Sequence, residues 1–134
     1  MIAFLRRWRD DRGAASTQLV LVVPVLLLLA MLIVQFALVW HARHIAQYAA
    51  QRALAAARTQ HGSTADGQAQ AARSLAALGN RTLTTPSVTV ERTTAQTTVR
   101  VRGTVMAVVP GLHLHASGTA SGPTERLTAP DGGH

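Results

Sequence analysis

Between Leu19 and Trp40 the chain reads LVLVVPVLLLLAMLIVQFALVW, a stretch with no formal charge and one strongly polar side chain, Gln35. At about 1.5 Å of rise per residue this run is roughly 33 Å long as a helix, enough to cross a hydrocarbon core of about 30 Å with modest tilt. A water-soluble domain rarely needs so long an uncharged helix, so the run is read as a membrane-spanning segment. Val, Leu, Ile and Phe around Gln35 offset the cost of one amide in lipid, and an amide there can bond a neighbouring helix. Pro24 lies about one turn in, where its missing N–H loosens the helix without ending it. Ala30 and Ala37 are small positions in the same run. Pro24 and Gln35 are therefore the expected helix-packing positions.

Charge on either side sets the expected direction. Arg6, Arg7, Arg9 and Arg12 crowd the N-terminal flank, whereas Arg43, Arg52 and Arg58 are spread out beyond the run. The positive-inside rule places the N-terminus in the cytoplasm and the chain from Ala42 onward outside. The apolar run is much longer than the roughly 7 to 15 residues of a cleavable secretory signal, so it is expected to stay as an anchor.

The 134 residues leave room for one small domain outside such a segment. With no cysteine, there is no disulfide framework, thiolate metal site or cysteine nucleophile. The net charge of +7 comes wholly from arginine, which is scattered and has Tyr48 as its one aromatic companion beyond Trp40. That is not the clustered, aromatic-interleaved pattern of a nucleic-acid surface, and none is expected. Beyond the apolar run the carboxylates Asp66, Glu91, Glu125 and Asp131 are far apart, with no nucleophile motif or phosphate loop among them, so no enzyme and no cofactor is expected. His41 with His44, and His113 with His115, are spaced to share a face in a helix or a strand. Each pair lacks a third ligand and an orienting carboxylate, so no metal site is assigned.

Beyond the apolar run, HARHIAQYAAQRALAAARTQ contains neither Gly nor Pro and continues the helix outward. Ile45, Ala49 and Ala53, with Tyr48 and Leu54, form its apolar stripe, and a stop is expected near His61-Gly62. Ser63 and Asp66 offer an N-cap for a second helix over about 65–78, with Ala69, Ala72, Leu75, Ala76 and Leu78 as its apolar face and Gly79-Asn80 as its end. From Leu83 the period falls to two. Val88 and Val90 mark one strand. After a turn around Thr93 to Gln96, a second strand reads Val99, Val101, Val105, Ala107 and Val109, alternating with Arg100, Arg102 and Thr104. Pro110-Gly111 is a turn signal, followed by a third strand through Leu112, Leu114, Ala116 and Ala120. The expected fold is α+β: a transmembrane helix with a helical extension, a short second helix and a small antiparallel sheet. Its expected parts are a basic head at 1–13, the junction and transmembrane helix at 14–40, an exterior domain at 41–121 and a disordered tail at 122–134.

The junction Arg12-Gly13-Ala14-Ala15-Ser16-Thr17-Gln18, followed by an apolar run with Pro24, resembles the start of TadE-like proteins, the pseudopilins of the tight-adherence (Flp) pilus machinery. The resemblance implies a prepilin-peptidase cut between Gly13 and Ala14, which would make Gln18 the fifth residue of the mature chain. Glutamate is common there in pilins, where its carboxylate is thought to pair with the free amine of a neighbouring subunit; Gln keeps only the amide carbonyl. The resemblance further implies a pilin-like architecture in the cytoplasmic membrane. The implied partners are the lipid bilayer, other pilin-like subunits, pilus assembly proteins and the prepilin peptidase. A membrane-anchored envelope adaptor whose sheet edge captures a peptide is the alternative.

Overall fold

The computed structural model describes the backbone of residues 2–59, 61–78 and 81–126, and their side chains from residue 15 onward. It is an α+β fold in the expected order: helix α1 (Ile2–Ala57), helix α2 (Thr64–Leu78), and strands β1 (Leu83–Arg92), β2 (Gln96–Val105) and β3 (His115–Pro123). The strands form one antiparallel sheet in the order β1-β2-β3. α1 runs unbroken through Gly13, Pro24 and the stem, and ends a turn before the expected His61-Gly62. There the Thr59 hydroxyl donates to the Ala56 carbonyl at 3.1 Å, satisfying an orphan acceptor of the last turn.

Two halves of α1 live in different surroundings. From Ala15 to Ala30 every side chain is exposed. Further on, Ala42, Ile45, Ala46, Ala49, Ala50, Ala53 and Ala57 are buried against the sheet and α2. The expected Ile45, Ala49 and Ala53 stripe is therefore the packing face, whereas Tyr48 stays 41% exposed. Small side chains on the helix are met by small ones on β3, whose inward residues are Ala116, Gly118, Ala120 and Gly122. At Gly118 the strand touches the helix backbone itself: a Cβ would lie 2.4 Å from the Ala46 carbonyl carbon and 2.4 Å from the Gln47 nitrogen. The larger apolar side chains, Val99, Val101 and Val105 of β2 with Leu83 and Val90 of β1, fill the space under the other two strands. Arg100 and Arg102 project from the opposite, wet face of β2, as its alternation requires.

α2 starts at a reciprocal cap. The Asp66 amide donates to the Ser63 hydroxyl at 3.1 Å, and the Asp66 carboxylate accepts from the Ser63 amide and hydroxyl, each at 2.8 Å. The Ser63 hydroxyl and then its amide hold the Asp66 carboxyl below the usual carboxylate range. A lowered native value makes this cap fully stabilising above the ordinary carboxylate pKa, and its contribution fades as pH falls through the lowered one.

The buried face of α2 is Gly67, Ala71, Ser74 and Leu75, which corrects the expected one: of that set only Leu75 is buried, and Ala69, Ala72, Ala76 and Leu78 are exposed. Nearly every residue of this helix is small, so hydrophobicity barely distinguishes its faces and closeness of approach decides. A Cβ on Gly67 would already lie 2.9 Å from the Ala57 Cβ.

Two strand boundaries also differ from expectation. β2 ends at Val105 and β3 begins at His115, so Ala107, Val109, Leu112 and Leu114 lie in a connection rather than in strands. Within it the Pro110-Gly111 turn forms as expected, with Gly111 at φ +80° and the Leu112 amide donating to the Val109 carbonyl at 3.2 Å, the geometry of a type II turn. β3 reaches Pro123, and the Glu125 amide donates to the Arg58 carbonyl at 2.9 Å, so ordered chain continues past 122, where the tail was expected to begin. Its remainder, 127–134, and the Gly79-Asn80 stop lie outside the described residues.

Gly118→Val is expected to destabilise the domain by about 1–3 kcal/mol through overpacking against backbone that cannot yield. Ser117→Val on the exposed side of the same strand should change stability by no more than about 0.5 kcal/mol. Urea titration of both variants in detergent micelles, followed by circular dichroism, checks the contrast.

Candidate functional site

The feature most exposed to a partner is the α1 surface from Leu19 to Val34. Leu19 to Leu29 offers only apolar side chains, most of them more than half exposed. This helix is long and apolar enough to cross a membrane, and almost none of its most apolar window is buried within the protein. A core helix of a water-soluble fold would show the reverse. So large a contiguous apolar surface marks a membrane or protein interaction site.

Gln35 ends that surface. It is 1% exposed and is the largest fully buried side chain among the described residues. Its carbonyl oxygen accepts the Val108 amide at 2.7 Å and the Val109 amide at 3.4 Å, while its Nε2 donates to the Met106 carbonyl at 3.2 Å. The carboxamide thus stands in for a strand neighbour and takes the backbone groups that a longer β2 would have offered to the sheet. β2 ends at Val105, opposite Leu83 at the start of β1, and the groups beyond it turn to the helix. Sequence reasoning singled out Gln35 as the polar group of the run but assigned it to a neighbouring helix; the structure turns it inward, onto its own chain.

A second glutamine repeats the device further along α1. The Gln47 Nε2 donates to the Thr119 carbonyl at 3.0 Å, and the Thr119 amide donates to the Gln47 carbonyl oxygen at 3.2 Å. Gln47 thereby caps the outer edge of β3 at the residue beside Gly118. The pairing of Gln47 depends on which strand arrives there, and no local pattern encodes that.

The remaining sequence-predicted positions fall as follows. The backbone of Gly13 and Ala14 lies inside α1, and Gln18 and Pro24 are exposed on it. The structure brings none of these four together with Gln35, which lies further along the same helix. His41 and His44 are exposed, and the His44 ring meets Trp40 edge-on with centroids 5.3 Å apart. His113 lies in the β2–β3 connection with Nδ1 3.3 Å from the Gly111 carbonyl oxygen, and His115 opens β3. Among the described residues no group of three or more His, Cys, Asp or Glu side chains is placed to hold a metal.

At the Ala57 end a polar cleft of about 680 Å³ is lined by Ser63, Arg92, Thr93, Thr124 and Glu125, among others. Its groups are largely spent on holding the fold. The Arg92 Nη2 donates to the Thr59 carbonyl at 3.0 Å, the Glu125 carboxylate lies 3.7 Å from the Arg58 Nε, and the Thr124 hydroxyl donates to the Thr93 carbonyl at 2.9 Å.

Together these features define a class: a chain with, among the described residues, one helix fit to cross a membrane, whose C-terminal part is the spine of a small α+β domain. The segment 13–55, which comprises the glycine junction, the apolar run and most of the alanine stem, matches the family model described as TadE-like protein, a family of the Tad pilus system. The resemblance read from the residues therefore holds over that segment; α2 and the sheet lie beyond it. No curated protein and no solved structure matches the chain.

Gln35→Leu keeps the side chain's bulk but leaves the Val108 amide and the Met106 carbonyl without this partner, at a cost of about 1–3 kcal/mol. Hydrogen exchange should show the Val108 amide exchanging faster than in the parent chain. Unchanged protection at Val108 would mean that the carboxamide does not hold this connection.

Proposed function

We propose that this protein is a membrane-anchored, pseudopilin-like structural subunit of a tight-adherence pilus or a related secretion assembly. The exposed apolar rod of α1 carries this reading, because it coincides with the segment that matches the TadE-like family. In this reading α1 anchors the subunit in the cytoplasmic membrane as a single pass, with the N-terminus inside and the α+β domain outside. The domain is a structural body and not a catalyst, and its partners are lipid, other pilin-like subunits and pilus assembly proteins.

Because Gln35 is buried within its own chain, lateral contact along Leu19–Val34 rests on van der Waals packing between helices, with exposed Ala30 as its small position. Cleavage after Gly13 would require the helix to unwind locally. A glycine, about 1 kcal/mol less favourable than alanine inside a helix, lowers that cost.

The alternative, an envelope adaptor that captures a peptide by strand addition, needs a free sheet edge. Both edges here are obstructed. Gln47 occupies β3 at Thr119, and β1 carries Pro86 beside a register shift between Thr84 and Ser87, with Thr85 at φ 44°. These observations favour the structural-subunit reading.

Intact-mass and N-terminal analysis of the protein from native membranes, with and without the prepilin peptidase, tests the proposal. The expected result is a mature chain beginning at Ala14 only when the peptidase is present, and Gln18→Glu is expected to improve processing or incorporation. Retention of residues 1–13 in both backgrounds would remove the case for pilin-type processing.

A further inference from the structure

The connection from Met106 to Leu112 sits at an unusual level for a loop of an exterior domain. Through Met106, Val108 and Val109 it is fastened to Gln35, which lies inside the apolar run. Counting about 20 residues from Leu19, the length needed to span about 30 Å of hydrocarbon, reaches Leu38. If lipid stopped short of Gln35, the run from Leu19 to Val34 would supply only about 24 Å. The loop's attachment point is therefore at the depth of the bilayer rather than above it.

The loop's chemistry suits that depth. Met106-Ala107-Val108-Val109-Pro110-Gly111-Leu112 carries no charged or hydrogen-bonding side chain. Met106 is 50% exposed, Ala107 and Pro110 are exposed, and Val108, Val109 and Leu112 are half-buried. Irregular backbone is tolerated near hydrocarbon only when its polar groups are satisfied. Here the Val108 and Val109 amides and the Met106 carbonyl are met by Gln35, the Leu112 amide by the Val109 carbonyl, and the Met106 amide by the Thr82 carbonyl at 3.0 Å, while the exposed Ala107 and Gly111 amides remain for headgroup or water oxygens at the rim of the leaflet. Pro110 has no amide to satisfy.

The side chains above the loop follow the order of a membrane boundary. Exposed Trp40 lies about 8 Å beyond Gln35 along α1, and exposed Arg43 about 12 Å beyond it. Aromatic and then cationic groups in that order match the headgroup zone of a bilayer.

We infer that the Met106–Leu112 loop is a second membrane contact, seated in the leaflet on the domain's side next to α1. This inference rests on the reading of α1 as a membrane anchor. With the helix and the loop both in lipid, the domain is held against the bilayer at two points and its tilt is restricted. The occupant of the exposed loop surface is lipid, because that surface is continuous with the apolar rod and carries none of the polar groups that would specify a protein partner.

The absence of cysteine permits a direct test on the full chain. Single-cysteine variants Met106→Cys, Val109→Cys, Leu28→Cys and Thr94→Cys, labelled with an environment-sensitive fluorophore, are reconstituted in vesicles of phosphatidylcholine and phosphatidylglycerol. Labels at 106, 109 and 28 are expected to emit at shorter wavelength and to be quenched by brominated acyl chains, while the label at 94, on the far β1–β2 turn, is quenched by aqueous iodide. Iodide quenching at 106 and 109 with lipid quenching at 28 would overturn the loop contact and leave the anchor intact. Protection from both quenchers at 106 and 109 would equally overturn it and indicate a protein neighbour, such as a second copy. An aqueous label at 28 would overturn the anchor and the loop contact together. Position 106 is half exposed, so the substitution there leaves the core untouched.

Discussion

One carboxamide, that of Gln35, sets how far the domain reaches down α1. A glutamine in an otherwise apolar run has to find partners or carry the cost of an unpaired amide, roughly 1–3 kcal/mol and more in lipid. The loop backbone at Met106–Val109 has the same need, because it has left the sheet. Each satisfies the other, and the result is a junction where the end of the sheet is fixed to the helix at a definite residue. Without it, α1 and the domain would still share the alanine face from Ala42 onward and the Gln47–Thr119 pair, but the Met106–Val109 loop would lose its hydrogen bonds to the helix.

Above that junction, the packing is governed by distance rather than by bulk. Alanines on the stem and the Ala-Gly alternation of β3 bury little area per residue, so the usual gain from large apolar side chains is modest here. What the small residues allow is contact between a strand and a helix at the level of the backbone, at Gly118 against Ala46. That closeness also brings the β3 edge within reach of Gln47, which then satisfies an amide and a carbonyl that the sheet leaves open. The bulk of the core comes from the valines of β2, and α2, over Gly67 and Ala71, closes the other side.

Much of this was legible from the residues. The apolar run, the stem, the Ser63–Asp66 cap and the Pro110-Gly111 turn each depend on local chemistry, and each stands where the sequence places it. The buried face of α2 was not legible, because a helix of Ala, Gly, Ser and Gln has no strong hydrophobic side. Nor were the ends of β2 and β3: Val105, Ala107 and Val109 continue a period-two pattern, but the strands stop pairing at Val105 and the backbone beyond bonds Gln35, 70 or more positions away. The same long-range pairing redirected Gln35 from an expected neighbouring helix to its own domain. The errors share a cause, namely that the deciding partner lies far away in the chain.

The burial of Gln35 also changes how a lateral assembly of such helices would be held together. Lipid chains are as apolar as leucine, so helices in a bilayer gain nothing from hydrophobicity alone when they meet. A free glutamine would have supplied a directional bond that fixed both the register and the rotation of neighbouring helices. With that group consumed, Leu19–Val34 offers only apolar side chains, whose packing is broad and weakly directional. Specific register between subunits would then have to come from the polar ends of the rod: the Ser16-Thr17-Gln18 junction at one side, and the α+β domain, fixed to the helix by Gln35 and Gln47, at the other. A rigid link between the domain and its helix is what allows contacts between domains to set the relative height of the helices beneath them.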